Sequence, residues 1–213
     1  MGGVCAWGDS TEYKLGSTGL KPLRNMLRYL LASSILLVSF TATANPINLA
    51  DCPFPNGTDK QIHSYMCSDG EQFSITDIET LDKNGKPVYP IDPRQEFILN
   101  LTTYNHGKQI DDNKVNVKIY QYKSGWNGGC DWTSLPTFGL LNGIDGCEFA
   151  HNCPLTSGPL FLILPLDLSQ FSAIINMLAA YKPYQLEIRM YNYNADDTKH
   201  EEIACVMAQV ELS

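Results

Sequence analysis

Six of the seven cysteines, Cys52, Cys67, Cys130, Cys147, Cys153 and Cys205, fall after residue 45. Such a set constrains a fold strongly once the compartment is known. Outside the cell it reads as disulfides, and inside it reads as metal or thiol chemistry. The N-terminal region decides between them. Residues 30–40, LLASSILLVSF, form an apolar run that is too short for a membrane span, which needs ~20 residues. Arg24 and Arg28 precede it, and TATA ending at Ala44 follows. A basic flank, a short apolar centre and an Ala-x-Ala end predict a secretory signal peptide cleaved after Ala44. Met26 opens a complete signal peptide by itself, so translation starts there or residues 1–25 are a long n-region. Either way, residues 1–44 are excluded from the fold.

Residues 45–213 suit one domain. Of 15 basic and 23 acidic residues, four and two fall in the first 44, which leaves a net charge near −10. Phosphate binding needs a basic face, so nucleic acid is excluded as a partner. Six cysteines on a secretory route predict three disulfides. The same route makes glycosylation acceptors of the sequons Asn56-Gly57-Thr58 and Asn100-Leu101-Thr102.

Period-two alternation dominates the chain. Residues 95–104, QEFILNLTTY, put Phe97, Leu99 and Leu101 on one face and Asn100 on the other. Residues 114–122, KVNVKIYQY, put Val115, Val117 and Ile119 inward and Asn116, Lys118 and Tyr120 outward. Both read as half-buried antiparallel strands. Residues 71–79, 159–165, 183–193 and 202–212 read as further strands, since the tyrosines of 183–193 and the β-branched residues fit strand better than helix. Turn signals separate them at Asn84-Gly85, Asp111 to Asn113 and Asn194 to Asp197. Asp111-Asp112 and Asp196-Asp197 are expected to be solvated hairpin tips. One segment differs. Residues 168–181 carry Leu168, Phe171, Ile174, Ile175 and Leu178 at helical spacing, with Ser169 as a cap and Pro183 beyond, which predicts one short amphipathic helix. It would pack on the sandwich edge or act as a lid. The whole predicts an all-β sandwich. The glycine-rich stretch 123–158, with three of the six cysteines, is a long excursion of the kind that carries function.

Within the excursion lies GCEFAHNCP, residues 146–154. Zinc needs four Cys or His ligands in paired short spacings. Cys147, His151 and Cys153 offer three, and no second Cys-x-x-Cys exists. A thiol nucleophile needs an unpaired cysteine beside a base, and six cysteines can all pair. A Cys147–Cys153 disulfide loop remains, with His151 as a loop residue.

Gly146-Cys147, five residues, Cys153-Pro154, then Gly158 and an apolar strand resemble the ML family of secreted lipid-recognition proteins. That family includes the lysosomal sterol carrier of Niemann-Pick type C disease and the ganglioside activator protein. The Tyr-rich YQLEIRMYNYN, the acidic turn and EIACVMAQVEL fit the family's chain end. Cys67 followed by Asp69-Gly70 and FSITDIETLD fits its start. The resemblance spans about 67–213, with 45–66 as an N-terminal extension. It implies an immunoglobulin-like β-sandwich of two antiparallel sheets holding one lipid in an apolar cavity. It also implies the pairs Cys67–Cys205 and Cys147–Cys153, which leaves Cys52 with Cys130. The Cys67–Cys205 bond closes a loop worth ~4–5 kcal/mol in the chain-entropy model. The N-terminal extension, the 168–181 insertion and the glycine-rich 124–146 loop depart from the sterol carrier, which puts the ligand's identity in doubt.

The expected lining comes from inward strand residues Phe97, Leu99, Val117, Ile119, Leu186 and Ile188. Phe138 and Leu140 before the Cys147 loop, and Phe161 and Ile163 after it, are expected at the pocket mouth. The leading function is secreted, non-enzymatic lipid binding or transfer of a sterol, fatty acyl chain or glycolipid. The alternative is a secreted receptor-interaction module without a mobile lipid. The sequence contains neither a Gly-x-Ser-x-Gly elbow nor a His-Glu-x-x-His, so a hydrolase is the weakest class. A monomer in the extracellular space or lysosomal lumen is expected, without metal or cofactor. It would meet a membrane or lipid-receptor protein transiently.

Overall fold

The structure is a computed structural model that describes residues 52–213; the signal peptide and start site expected from the sequence lie outside the described residues. The alternating segments are strands. In chain order they are β1 (His63–Met66), β2 (Phe73–Asp82), β3 (Phe97–Asn105), β4 (Asn113–Ser124), β5 (Cys130–Leu135), β6 (Ile144–Asp145), β7 (Gly158–Leu166), β8 (Lys182–Asn192) and β9 (Glu202–Leu212). Six form one sheet in the order β1-β9-β8-β4-β5, with β6 joining β4 on the same edge; β2-β3-β7 form the other. Every strand pair is antiparallel. The two sheets face one another as an immunoglobulin-like β-sandwich.

Apolar clusters from both inner faces join the sheets near either end. One brings Phe97 of β3 together with Ile119, Tyr184, Val210 and Leu212 of the larger sheet. The other sets Phe73 of β2 and Leu160 and Leu162 of β7 against Met190, Ile203 and Ala204. Three bonds tie the periphery: Cys52–Cys130, Cys67–Cys205 and Cys147–Cys153. The second joins the chain just after β1 to the interior of β9, its neighbour in the sheet.

The excursion contains β5, β6 and a one-turn helix, α1 (Gly146–Ala150). None of the three was expected from pattern, because CDWTSL mixes polarity and two-residue β6 is too short to alternate. Asp145 caps α1 by accepting from the Glu148 amide, and His151 ends it in the left-handed region at φ 51°. The Cys147–Cys153 loop is thus a capped helical turn rather than irregular coil.

The expected 168–181 helix is much shorter. A 3-10 turn, Ser169–Phe171, runs into α2 (Ser172–Ile175). Single hydrogen-bonded turns continue to Leu178. The Asp167 carboxylate, not the Ser169 hydroxyl, takes the first free amide, that of Ser169, at 2.9 Å. Further on, the buried Tyr184 hydroxyl accepts from the Ala179 amide at 2.7 Å and donates to the Ala179 carbonyl at 3.2 Å. With both backbone groups of Ala179 engaged from β8, the helix cannot continue through it. The apolar spacing was read correctly as burial, since Ile174 and Ile175 join the core, but tertiary bonds override the helical period.

Candidate functional site

The site is the space between the inner faces. On β8, the ladder fixes Tyr184, Leu186, Ile188 and Met190 inward, opposite Gln121, Ile119, Val117 and Val115 of β4. On β3, Phe97, Leu99 and Leu101 face inward beside Leu166, Leu164 and Leu162 of β7. β8 and β3 are interior strands of their sheets. In a sandwich packed to ordinary density, inward side chains on such strands are sealed from water. Here Leu99, Leu101, Val117, Leu186 and Ile188 are only partly buried, whereas Val206 and Ala208, inward on neighbouring β9, are buried. Apolar contacts join the sheets at Phe97 and Ile119 and at Phe73 and Ile203, and the inward side chains of β3, β4 and β8 between them stay partly exposed.

Most wall positions are apolar; at the flank, the buried Asn113 Oδ1 has no hydrogen-bond partner. Thr80 and Thr103 face inward but their hydroxyls donate to the Val88 carbonyl at 2.6 Å and the Ser74 carbonyl at 2.9 Å. The flank between β4 and β7 is bridged by α1, which touches both strands. The 168–178 segment joins it there. Phe171 meets Phe149 of α1 edge-on at 5.7 Å between ring centres, and Leu168, Phe171 and Leu178 pack against the Ile119 cluster. Asn113, fully buried, holds the base of this bridge, its amide nitrogen 3.2 Å from both sulfurs of the Cys147–Cys153 bond. Gly146 is required beside it, because a β-carbon at that position would overlap the Asn113 side chain.

Of the ten expected lining residues, Phe97 and Ile119 are buried in the end cluster, and Leu99, Val117 and Leu186 pack against it from the interior. Ile188 faces the same space. The other four do not. Phe161 and Ile163 point outward, 76% and 68% exposed, and Leu160, Leu162 and Leu164 take the inner face. PLFLILP is apolar at every position, so it carries no period from which a face can be read. Phe138 and Leu140 are also exposed. They sit in tight turns, Phe138 with φ 51°, and it is Leu141 between β5 and β6 that turns into the core, its carbonyl bonded to the Val117 amide. Leu141 and Phe149 are interior contributors that sequence reasoning missed, and Phe171 and Leu101 were placed on apolar faces but not among the expected lining. The signal of Leu141 and Phe149, isolated apolar residues in a glycine-rich loop, is legible only as burial.

The outer face of the large sheet is polar. A cleft of about 350 Å³ there is lined by Asn116, Lys118, Asn142, Glu187, Arg189 and Tyr191. Its charges are mutually satisfied. The buried Glu187 carboxylate accepts from Arg189 at 2.6 Å, Tyr120 at 2.7 Å and Lys118 at 3.2 Å. Burial pushes this carboxyl up, but those bonds outweigh it and hold it at about 2. Asp145 lies below the carboxylate range through Lys114, at 2.6 Å, and the Glu148 amide. Asp112, Asp145 and the Cys147 sulfur converge within metal-ligand spacing. That sulfur is committed to a disulfide and Asp145 to Lys114, so the group is a poor cation site.

No family model and no curated protein matches this chain. Among solved structures, a Niemann-Pick type C2 protein from Japanese carpenter ant aligns at 12% identity and TM-score 0.39, over 70% of this chain and 98% of that one. The C-terminal domain of wzt aligns at 10% identity and TM-score 0.36, over 74% and 81%. Likenesses this distant add no weight to a functional reading.

Proposed function

We propose that this is a secreted, non-enzymatic lipid-binding protein that holds an apolar ligand between its two sheets. The observation carrying this reading is the partial burial of Leu99, Leu101, Val117, Leu186 and Ile188, inward side chains on interior strands of both sheets. A space walled mostly by apolar side chains selects apolar matter. Burying a lipid chain there yields ~0.8 kcal/mol per methylene. The proposed lining is Leu99, Leu101, Val117, Leu186 and Ile188, with Phe97 and Ile119 at one end. Walls of this kind measure length and width, so sterols, fatty acyl chains and the tails of glycolipids all fit the chemistry.

The cysteines and the signal-peptide pattern support entry into the secretory route, to the extracellular space or the lysosomal lumen. Among the described residues no helix is long and apolar enough to cross a membrane. The resemblance of the Gly146-Cys147 to Gly158 frame to the ML family agrees with lipid as the ligand class. Exchange would be with a membrane or a lipid-receptor protein met transiently, and one chain suffices for binding.

The test is organic extraction of native protein secreted from eukaryotic cells, followed by lipid mass spectrometry and exchange against a fluorescent sterol and a fluorescent fatty acid. A near-stoichiometric lipid, displaced by one of the probes, is expected. Native protein that contains no lipid and exchanges neither probe refutes the reading and leaves the receptor-interaction module in its place.

A further inference from the structure

The β7 side of the outer face of the three-stranded sheet is apolar. Phe161 and Ile163 are 76% and 68% exposed, Tyr104 is 43% exposed, and Ile98 and Leu81 lie beside them partly buried, while exposed Asp77 and Glu79 of β2 face the same way across Thr102 and Asn100. Two large apolar side chains exposed side by side in this way call for an occupant.

The ladder places a sequon in the middle of it. Asn100 of β3 is paired with Ile163, and Thr102 with Phe161. Both ends of Asn100-Leu101-Thr102 therefore project from the same face as the two exposed apolar side chains. Directly opposed residues have β-carbons ~4.5–5.5 Å apart and diagonal neighbours such as Asn100 and Phe161 ~7–8 Å. The first ring attached to Asn100 would lie within contact of both. The Asn100 amide nitrogen reaches Glu79 at 3.5 Å in an exposed contact, at the limit of a hydrogen bond, so a substituent displaces little. The second sequon contrasts with it. Asn56 donates at 2.6 Å to Gln209, which is buried and bonded onward to Gln185 at 2.8 Å, and Thr58 is fully buried.

We propose that Asn100 carries an N-linked glycan whose first sugars lie over Phe161 and Ile163 and cover the apolar face. The proposal rests on the secretory reading above. In the attachment step the Asn100 amide nitrogen bonds to the anomeric carbon of a polyprenyl-diphosphate oligosaccharide. The anomeric carbon–oxygen bond breaks, the polyprenyl diphosphate departs and the amide proton is lost to solvent. A pyranose presents C–H groups on its ring faces, which lie on an aromatic or branched aliphatic side chain and remove it from water. The apolar face is then a seat for a covalent cover rather than a surface left for a partner.

The experiment expresses the full chain in eukaryotic cells in four forms: native, Asn100→Gln, Phe161→Ser/Ile163→Thr, and all three substitutions together. Peptide mass mapping reads occupancy at Asn100, and hydrophobic-interaction chromatography reads exposed apolar surface. Enzymatic removal of the glycan from folded native protein serves as a second route should Asn100→Gln fold poorly. Asn100 is expected to be occupied. The Phe161→Ser/Ile163→Thr pair is expected to reduce column retention at least about threefold more without the glycan than with it, since non-additivity reports contact. A secreted chain with Asn100 bare, or equal retention shifts in both backgrounds, overturns the proposal while leaving the secretory reading standing. A chain confined to the cytosol overturns both.

Discussion

At the residue scale, two buried carboxylates on the larger sheet answer pH with opposite sign. Glu187 is held at about 2 despite burial, by Arg189, Tyr120 and Lys118. Its folded value is below the ordinary one, so its contribution is complete above about pH 4.5 and is lost as pH falls toward 2. Glu211 is raised by burial and then by Asp59. The folded state holds its proton more tightly, so this site favours folding as pH falls through its raised value and opposes it as pH rises. An acidic lumen at about pH 5 therefore keeps the Glu187 network intact. Glu187→Gln is expected to cost about 1.5 kcal/mol at pH 7, the loss of its charge-assisted bonds, since Arg189 keeps Glu202 and Lys118 is solvated. Glu211→Gln is expected to be neutral or stabilising at pH 7, with its difference from the native chain vanishing toward pH 4.5. Urea unfolding across pH 3–8 reads both; a pH-independent cost for Glu187→Gln, or a Glu211→Gln penalty growing with pH, contradicts these assignments. Neither role was visible in the sequence, because Lys118, Tyr120 and Glu187 meet only once β4 and β8 are paired. Asp197 lies in the expected β8–β9 tip, where its carboxylate accepts from the amides of Lys199, His200 and Glu201 and shapes the turn.

At the scale of elements, legibility followed contrast. KVNVKIYQY alternates polar and apolar residues, and β4 buries the face that this alternation names. PLFLILP has no contrast, and β7 buries the opposite face from the one expected. Neighbouring positions in β7 make the register measurable. Leu162→Ala removes inward atoms packed against Met190's cluster and is expected to cost about 2 kcal/mol, the lower end for a partly buried leucine. Phe161→Ala, one residue away and larger, is expected to cost no more than about 0.5 kcal/mol, as an exposed substitution should. Thermal or urea unfolding of the two variants in parallel checks this, and the reverse order would put Phe161 in the core. The 168–181 helix shows a different limit. Its apolar spacing was genuine, but the Tyr184 hydroxyl at Ala179 lies five residues downstream and on another element, beyond what local periodicity encodes.

At the scale of the molecule, the sandwich and its cysteine pattern were readable, but the partial exposure of inward side chains between the sheets was not, since a residue that lines a void and one that fills a core have the same composition. Substitution toward larger side chains separates the two. In a close-packed interior an added ring forces side chains off their rotamers and costs ~1–3 kcal/mol. Beside a void it gains contacts and costs little. Ile188 is the most direct site: it is inward on an interior strand, between Val117 and Val206 in the ladder, and is only partly buried. Ile188→Phe is therefore expected to leave stability within about 0.5 kcal/mol of native or to raise it. Because the new ring would occupy the space proposed for ligand, lipid affinity is expected to fall at least tenfold, about 1.4 kcal/mol. Buried Val206→Phe, on β9 where the sheets close, is the contrasting case and is expected to destabilise by ~1–3 kcal/mol. Urea unfolding with fluorescent fatty-acid titration reads both quantities on the same samples. A destabilised Ile188→Phe that still binds lipid at native affinity would mean that the sheets close at Ile188 and that ligand, if held, lies elsewhere.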